Sequence, residues 1–166
     1  FHLRYVCEWQ KWRDGWRQMS PLLDEDAELG PPFPLLCQPA AREQQLAYAR
    51  RWCKSRFKFV LAEPAGRDTA IRPHQRPRIG YLSSDFREHA VSDLLAEVLE
   101  SHDRARFEIF AYSYGPDDHS RMRARLIDAC EHFVDIARDP DDIAAARIRD
   151  DQLDILVDLN GHTAGA

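Results

Sequence analysis

The chain has 166 residues, with 28 acidic side chains, 23 lysines and arginines, and a net charge of −5 at pH 7. This acidic balance argues against a general nucleic-acid binder, which usually carries a basic excess. Because no apolar run approaches the roughly 20 residues that cross a bilayer, a membrane is not expected as a partner either. The basic run Arg-Met-Arg-Ala-Arg at residues 121–125 is interpreted as a solvated helix face.

The four cysteines give no sign of a metal site. They stand at positions 7, 37, 53 and 130 and form no C-x-x-C pair that would bind zinc or carry out redox chemistry. Cys53 and Cys130 fall on the apolar sides of predicted helices. The sequence therefore predicts reduced, mostly buried thiols, as in a cytoplasmic protein. The chain starts with Phe1 instead of methionine, which suggests a fragment of a longer protein.

The N-terminal part of the chain is predicted to be helical. Four aromatic side chains recur at helical spacing and would share one packing face: Tyr5, Trp9, Trp12 and Trp16. Residues 30–34, Gly-Pro-Pro-Phe-Pro, are predicted to form neither helix nor central strand, because proline lacks the amide proton that both use. We interpret them as a linker or an extended segment.

A second helix is predicted from about residue 41 to residue 55, and a polar connecting loop at residues 66–76. The inner side of this helix is expected to carry Leu46, Ala49 and Cys53. The pattern changes at Pro77, where strands begin to alternate with helices.

Four short strands are predicted after Pro77. They span residues 79–83, 107–114, 132–136 and 155–159. The three intervening helices are expected to face inward with Val91, Leu94, Leu95, Val98 and Leu99, then with Met122, Leu126 and Ala129, and then with Ile143, Ala144 and Ile148. Pro140 is placed near the start of the third helix.

This alternation predicts an α/β fold with right-handed crossovers and a parallel sheet. The simplest strand order is the Rossmann-like 3-2-1-4, which places a switch point between the first and the last strand. The ends of these two strands become neighbours in space although they are far apart in sequence. Ligands of open α/β sheets bind at such a point.

Polar side chains follow both strands at the switch point, at residues 83–89 and 160–163. The G-x-G-x-x-G pattern of dinucleotide-binding domains is missing after the first strand, so no nicotinamide or flavin cofactor is expected. The chain also contains no H-E-x-x-H, G-x-S-x-G or phosphate-loop motif. The residues by themselves therefore do not fix a reaction class.

His89 is the first candidate for chemistry in these segments. It lies just ahead of a predicted helix, whose dipole favours a neutral imidazole that can accept a proton or hydrogen-bond a hydroxyl. The alternative is a capping or surface histidine, and Asp85 could likewise be a turn residue. His119 and His132 lack such placement and are interpreted as structural.

The second candidate group follows the last strand. Gly161 permits a sharp turn, and Asn160 and Thr163 offer hydrogen-bonding groups. His162 stands in the same turn. His89 and His162 are thus predicted at adjoining strand ends.

Three segments of the chain resemble a known family. Residues 78–91, Arg-Ile-Gly-Tyr-Leu-Ser-Ser-Asp-Phe-Arg-Glu-His-Ala-Val, are similar to the first strand of the catalytic region of the O-linked N-acetylglucosamine (O-GlcNAc) transferases, and most of all to the bacterial proteins called SPINDLY-like. Residues 158–165 resemble a second motif of that family. Residues 31–36 and the following helix resemble its connection between tetratricopeptide repeats and catalytic region.

The resemblance implies part of a B-type glycosyltransferase with two Rossmann-like lobes. Such enzymes move N-acetylglucosamine from UDP-GlcNAc to serine or threonine hydroxyls of a protein or peptide acceptor, with inversion and without a required metal or other cofactor. Residues 1–76 would be a connector that follows the repeats, and residues 77–166 the first part of the N-terminal lobe. The main UDP site would lie beyond Ala166 in the C-terminal lobe, and this chain alone would be inactive.

The resemblance also suggests roles for single residues. His89 matches the family's active-site histidine, whose part as general base or as positioning group is open. The acceptor or sugar side of the cleft is expected to be lined by Ser84, Asp85, Asn160, Gly161, His162 and Thr163. His162 stands where animal members carry tyrosine, and Asp93 stands near a second histidine of those members, so peptide recognition is expected to differ.

The alternative function is a non-catalytic module derived from the same fold. In that case the tryptophan face and the proline-rich connector would form a protein-binding or scaffold surface.

Overall fold

A computed structural model describes residues 6–25, 30–56 and 75–163. They belong to two compact units, Phe1–Arg67 and Asp68–Ala166. Tyr5 and most of the predicted loop at residues 66–76 lie outside the described residues. Within the described ranges, none of the helices is both long and apolar enough to span a membrane.

The first unit is built from helical segments. These are α1 (Trp9–Met19), two 3₁₀ helices (Ser20–Leu23 and Phe33–Cys37) and α2 (Arg42–Arg56). Leu23, Leu35 and Tyr48 form its core, and Trp16 packs against them. The Tyr48 hydroxyl donates a 2.6 Å hydrogen bond to the Gly30 carbonyl, which satisfies the polar end of this buried ring.

Two predictions for the first unit are wrong. The proline-rich segment is predicted to contain no helix, yet Phe33–Cys37 is a 3₁₀ helix with proline in its first turn. An amide proton in the first turn has no intrahelical acceptor, so proline loses nothing there. Leu46, predicted to face inward on α2, is 51% exposed, because α2 turns Tyr48 toward Leu23 and Leu35 instead.

None of the four cysteines forms a disulfide, but only part of the prediction for them is correct. Cys130 is buried and Cys53 is half-buried, whereas Cys7 and Cys37 are exposed. The prediction of mostly buried thiols is therefore wrong for Cys7, which precedes α1, and for Cys37, the last residue of a 3₁₀ helix. Burial raises the pKa of Cys130 to about 11, so this thiol stays protonated and inert at neutral pH.

The second unit contains a four-stranded parallel sheet. Its strands are β1 (Arg78–Ser83), β2 (Glu108–Ser113), β3 (His132–Asp135) and β4 (Ile155–Asp158), and its helices are α3 (Ala90–Glu100), α4 (Arg121–Asp128) and α5 (Asp141–Asp150). The strand order is β3-β2-β1-β4, and each neighbouring pair is parallel. The predicted Rossmann-like sheet of order 3-2-1-4 is confirmed.

The sheet is covered by helices on both faces. Successive side chains of a strand point to opposite faces. Ile109 and Ala111 of β2 pack with α3 and α4, whereas Phe110 and Tyr112 pack with α5. Since both faces are occupied by apolar packing, the strand ends are the places where polar side chains can collect.

The inner faces of two helices are narrower than predicted. Leu95 and Leu99 of α3 are buried, but Leu94 is 82% exposed and Val98 is also exposed. A helix turns by about 100° per residue, so only the residues rotated toward the sheet are covered. For the same reason the prediction for Ile143 on α5 is wrong, because this side chain is exposed.

Candidate active site

The carboxyl ends of β1 and β4 meet at one edge of the sheet. Leu82 of β1 pairs with Asp158 of β4, and the Leu159 amide donates to the Leu82 carbonyl at 3.0 Å just past the end of β4. The polar segments that follow these strands are therefore neighbours. This is the juxtaposition expected at the switch point.

Asn160 is the centre of this edge and is only 6% exposed. Its Oδ1 accepts hydrogen bonds from the Ser83 hydroxyl at 2.9 Å and from the Ser84 amide at 3.0 Å. Its Nδ2 donates to the Ser84 hydroxyl at 2.9 Å, to Oδ2 of Asp85 at 3.0 Å and to Oγ1 of Thr163 at 3.3 Å. Both ends of one side-chain amide are thus used to join two strand ends.

A tight turn after β4 holds Asn160 in place. Oδ1 of Asp158 accepts hydrogen bonds from the backbone amide of Asn160 at 2.9 Å and from the backbone amide of Gly161 at 3.1 Å, as in other turns that begin with aspartate. Gly161 has a φ of +54°, a conformation that suits glycine. The turn predicted at Gly161 is present, with half-buried His162 and Thr163 after it.

Asp85 is buried within the segment that follows β1. Its amide donates to the Ser83 hydroxyl at 3.0 Å, and its carbonyl accepts from the Ser92 hydroxyl of α3. Its carboxylate accepts from Asn160 and lies 3.4 Å from an Nη of Arg87 and 3.7 Å from Nδ1 of His89. The carboxylate orientation is therefore determined by groups from both strand ends.

His89 caps α3. Its Nδ1 accepts a 3.3 Å hydrogen bond from the Val91 amide, so the capping interpretation of this residue is correct as far as Nδ1 is concerned. Because Nδ1 uses its lone pair as an acceptor, the neutral ring carries its proton on Nε2. The side chain is partly exposed.

Tyr114, just past β2, was not predicted as a site residue. Its amide donates to the Ser83 carbonyl at 3.1 Å. Burial raises the pKa of its phenol, and the negative charges of Asp158 and Asp85 raise it further, whereas a hydrogen bond with Ser84 lowers it. The rule that ligands bind at the carboxyl ends of strands could have found it, since β2 is the other neighbour of β1.

Two further histidines, His132 and His119, are not part of the Asn160 network. Nε2 of His132 lies 2.9 Å from Oε1 of Glu108, and the imidazole stacks on Phe110 at 4.2 Å between ring centroids. These residues stand at or near the amino ends of β2 and β3, opposite the candidate site. His119 is exposed, and its Nδ1 lies 3.4 Å from a carboxylate oxygen of Asp117.

The candidate site offers hydroxyl, amide, carboxylate and imidazole groups. Such groups can orient the hydroxyls of a sugar or of an acceptor by hydrogen bonds. Among the residues that the structure describes, no three histidine, cysteine, aspartate or glutamate side chains are grouped to hold a metal ion.

Comparison with known proteins decides the family. Residues 33–166 match glycosyl transferase family 41. The chain belongs to glycosyl transferase family 41. It is therefore a relative of the O-GlcNAc transferases and SPINDLY proteins, as its motifs suggest.

Three relatives illustrate the likeness. The chain is 30% identical, over 97% of its length, to the UDP-N-acetylglucosamine–peptide N-acetylglucosaminyltransferase of Caenorhabditis elegans. It is 40% identical, over 55% of its length, to the probable enzyme of the same name, SEC, of Arabidopsis thaliana. A solved structure of a mutant O-GlcNAc transferase from Thermobaculum terrenum matches 53% of the chain with a TM-score of 0.50 and 38% identity.

This family 41 chain is much shorter than these relatives. It spans 15% of the Caenorhabditis protein, 9% of the Arabidopsis protein and 17% of the Thermobaculum chain.

Proposed function

We propose that this chain is part of a glycosyltransferase that moves N-acetylglucosamine from UDP-GlcNAc to serine or threonine hydroxyls of a protein or peptide, with inversion at the sugar. Membership of family 41 and the names of its relatives support this reaction class. The observation that carries the proposal is the hydrogen-bond network of Asn160, which joins the ends of β1 and β4 beside His89.

In this reaction the acceptor oxygen forms a bond to C1 of the sugar. The bond between C1 and the phosphate oxygen breaks, UDP leaves with that electron pair, and the proton of the acceptor hydroxyl passes to the departing diphosphate or to solvent. The enzyme has to orient the acceptor hydroxyl and the sugar against each other, which contributes a large part of the rate of such transfers.

His89 orients a substrate by donating a hydrogen bond from Nε2. Its Nδ1 is occupied by the Val91 amide at 3.3 Å, so the neutral ring has no free acceptor for a proton. To act as a general base the ring would have to move its proton to Nδ1 and give up the helix cap. We assign His89 the donor role because it keeps this contact.

The remaining predicted site residues form the wall beside His89. Asn160 holds Ser84 and Asp85, and the turn at Gly161 presents His162 and Thr163 at the same edge. We assign these residues to the acceptor or sugar side of the cleft. We assign the groups that bind the diphosphate to the C-terminal lobe, outside these residues, and residues 1–76 to a connector between tetratricopeptide repeats and the catalytic region.

Three substitutions of His89 test this assignment in a longer family 41 protein that contains the chain. The amide nitrogen of glutamine reaches the place of Nε2, and that of asparagine reaches the place of Nδ1. We expect His89→Ala and His89→Asn to lower kcat by about 10²-fold or more, as when one stabilising donor is removed, and His89→Gln to retain about a tenth of the activity.

The control is His132→Gln, because His132 lies at the opposite end of the strands; transfer at an unchanged rate is expected. An equal loss of kcat in His89→Gln and His89→Ala would refute the donor role. Transfer by His89→Ala at the wild-type rate would refute the site assignment itself.

A further inference from the structure

Arg123 departs from the interpretation of residues 121–125 as a solvated face. It is 3% exposed, whereas Arg121 and Arg125 on the same helix are exposed. A buried arginine is costly unless its donors are satisfied. The partners of Arg123 therefore indicate which part of the structure this buried side chain holds in place.

The guanidinium of Arg123 reaches acceptors on three segments. One Nη donates to the Phe86 carbonyl at 3.0 Å and to the Ser113 hydroxyl at 3.0 Å. The other donates to Oδ2 of Asp135 at 2.7 Å. Nε makes no hydrogen bond, but it lies at an ion-pair distance of 3.0 Å from Oδ1 of Asp117. Only a planar fork of donors can reach this many acceptors at once.

Three of these partners stand at a strand end or in the segment just past one. Ser113 is the last residue of β2, Asp135 is the last residue of β3, and Phe86 lies in the segment that follows β1. The Phe86 ring is itself buried and lies 5.9 Å from the Phe133 ring, over which the Arg123 guanidinium sits at 5.1 Å. Both the side chain and the backbone carbonyl of Phe86 are therefore held in place, the ring by packing and the carbonyl by Arg123.

Phe86 is the middle of the segment that carries the candidate site. Asn160 holds this segment at Ser84 and Asp85, and Asp118 accepts the Glu88 amide at 2.8 Å. Between these two attachments, the Phe86 carbonyl is held by Arg123, three residues before His89.

We propose that Arg123 is a positioning residue, which fixes Asp85 and His89 for their role by holding the backbone between them. The proposal rests on the function proposed above. It extends the candidate site to Asp135, which accepts from the guanidinium at the end of β3, and to Asp117 in the loop before α4, whose carboxylate pairs with it electrostatically. Neither residue has a contact with Asn160 among the described hydrogen bonds.

The test uses a longer family 41 protein and two readouts. One is kcat for transfer, and the other is the rate at which diethyl pyrocarbonate modifies His89, followed by peptide mass spectrometry. Lysine keeps the charge of Arg123 but loses the fork. We expect Arg123→Lys to lower kcat by about tenfold or more, since a small misplacement of a reacting group has effects of this size, and to speed the modification of His89 several-fold.

Two controls separate positioning from general stability. Arg121→Lys, on the exposed side of α4, is expected to change neither readout. His132 is an internal reference at the opposite strand ends, and its modification rate is expected to stay constant in Arg123→Lys. If both histidines become more reactive, Arg123 only stabilises the unit and the proposal is wrong.

Asp135→Asn provides a milder variant if Arg123→Lys does not fold. The Asp135 side chain is 47% exposed, so this change weakens the ion pair with Arg123 without leaving a cavity in the core. We expect a several-fold faster modification of His89, and no change there would overturn the proposal. If the wild-type protein transfers no sugar while the His89 response is present, the proposed function fails and the positioning role stands.

Discussion

At the scale of single residues, Asn160 shows why a short polar side chain can organise a site. It offers one acceptor and two amide protons, and the structure uses them on Ser83, Ser84, Asp85 and Thr163. An aspartate of the same shape would place a second carboxylate against Asp85 instead of a donor. The amide is therefore required by its neighbours and not only by the turn after β4.

Asp118 gives a pH dependence at the residue scale. Its pKa is lowered to about 2, chiefly because it accepts the backbone amide of Glu88, with further hydrogen bonds from Ser120. Because the folded pKa lies below the ordinary value of 3.8, this contact contributes stability above about pH 4, and the contribution is lost as the pH falls toward 2. The segment before α3 then loses the hydrogen bond between the Glu88 amide and the Asp118 carboxylate.

Hydrogen exchange of the peptide that contains Glu88 measures this effect. Asp118→Asn is the reference at each pH, since its weaker acceptor does not titrate. We expect slower exchange in the wild type than in Asp118→Asn at pH 5 and a difference that vanishes near pH 2. A difference that stays constant over this range would show that the Asp118 contact does not hold the segment.

At the scale of elements, two loops approach each other closely at the site. A Cβ added to Gly115, which follows β2, would lie 1.8 Å from the Ser84 carbonyl oxygen. The neighbour is backbone and cannot rotate away. The loop after β2 therefore needs glycine here in order to lie against the segment after β1.

Gly115→Ala is expected to destabilise the second unit by about 2 kcal/mol, the usual size of an overpacking effect, and to slow transfer by displacing Ser84. Gly15→Ala is the matched control in α1, where an added Cβ meets nothing within 4 Å. In a helix this change is expected to stabilise by about 0.5–1 kcal/mol. Denaturant unfolding measures both, and an unaffected Gly115→Ala variant would contradict the close approach.

Helix faces show the limit of sequence patterns at this scale. The pattern on α3 predicts five inward apolar residues, of which Leu95 and Leu99 are buried while Leu94 and Val98 are exposed. The apolar pattern identifies a helix with an inner side. It does not say how far that side is covered, because coverage depends on the neighbouring elements.

At the scale of the whole molecule, the chain spans a small share of its relatives. We therefore predict that the 166 residues alone transfer no sugar and bind UDP weakly or not at all, whereas a longer family 41 protein that contains them binds UDP. Isothermal titration of both with UDP checks this. His89→Ala in the longer protein should leave UDP binding intact, and turnover by the 166 residues alone would contradict the prediction.

The sequence alone was enough to predict the sheet, its order and the edge where the candidate site lies. Alternating strands and helices favour a parallel sheet with right-handed crossovers, and its simplest strand order brings the ends of β1 and β4 together. The motifs at residues 78–91 and 158–165 pointed to the family. These features depend on local patterns and on general topology, which a linear sequence records.

Only the tertiary structure decided which side chains act together at that edge. The burial of Arg123 and the contact of Tyr114 with Ser84 were not readable from the chain. Each depends on distances of about 3 Å between groups that are far apart in sequence. Periodicity specifies the conformation of a segment, whereas hydrogen bonds between segments are determined only once the sheet and its helices have packed.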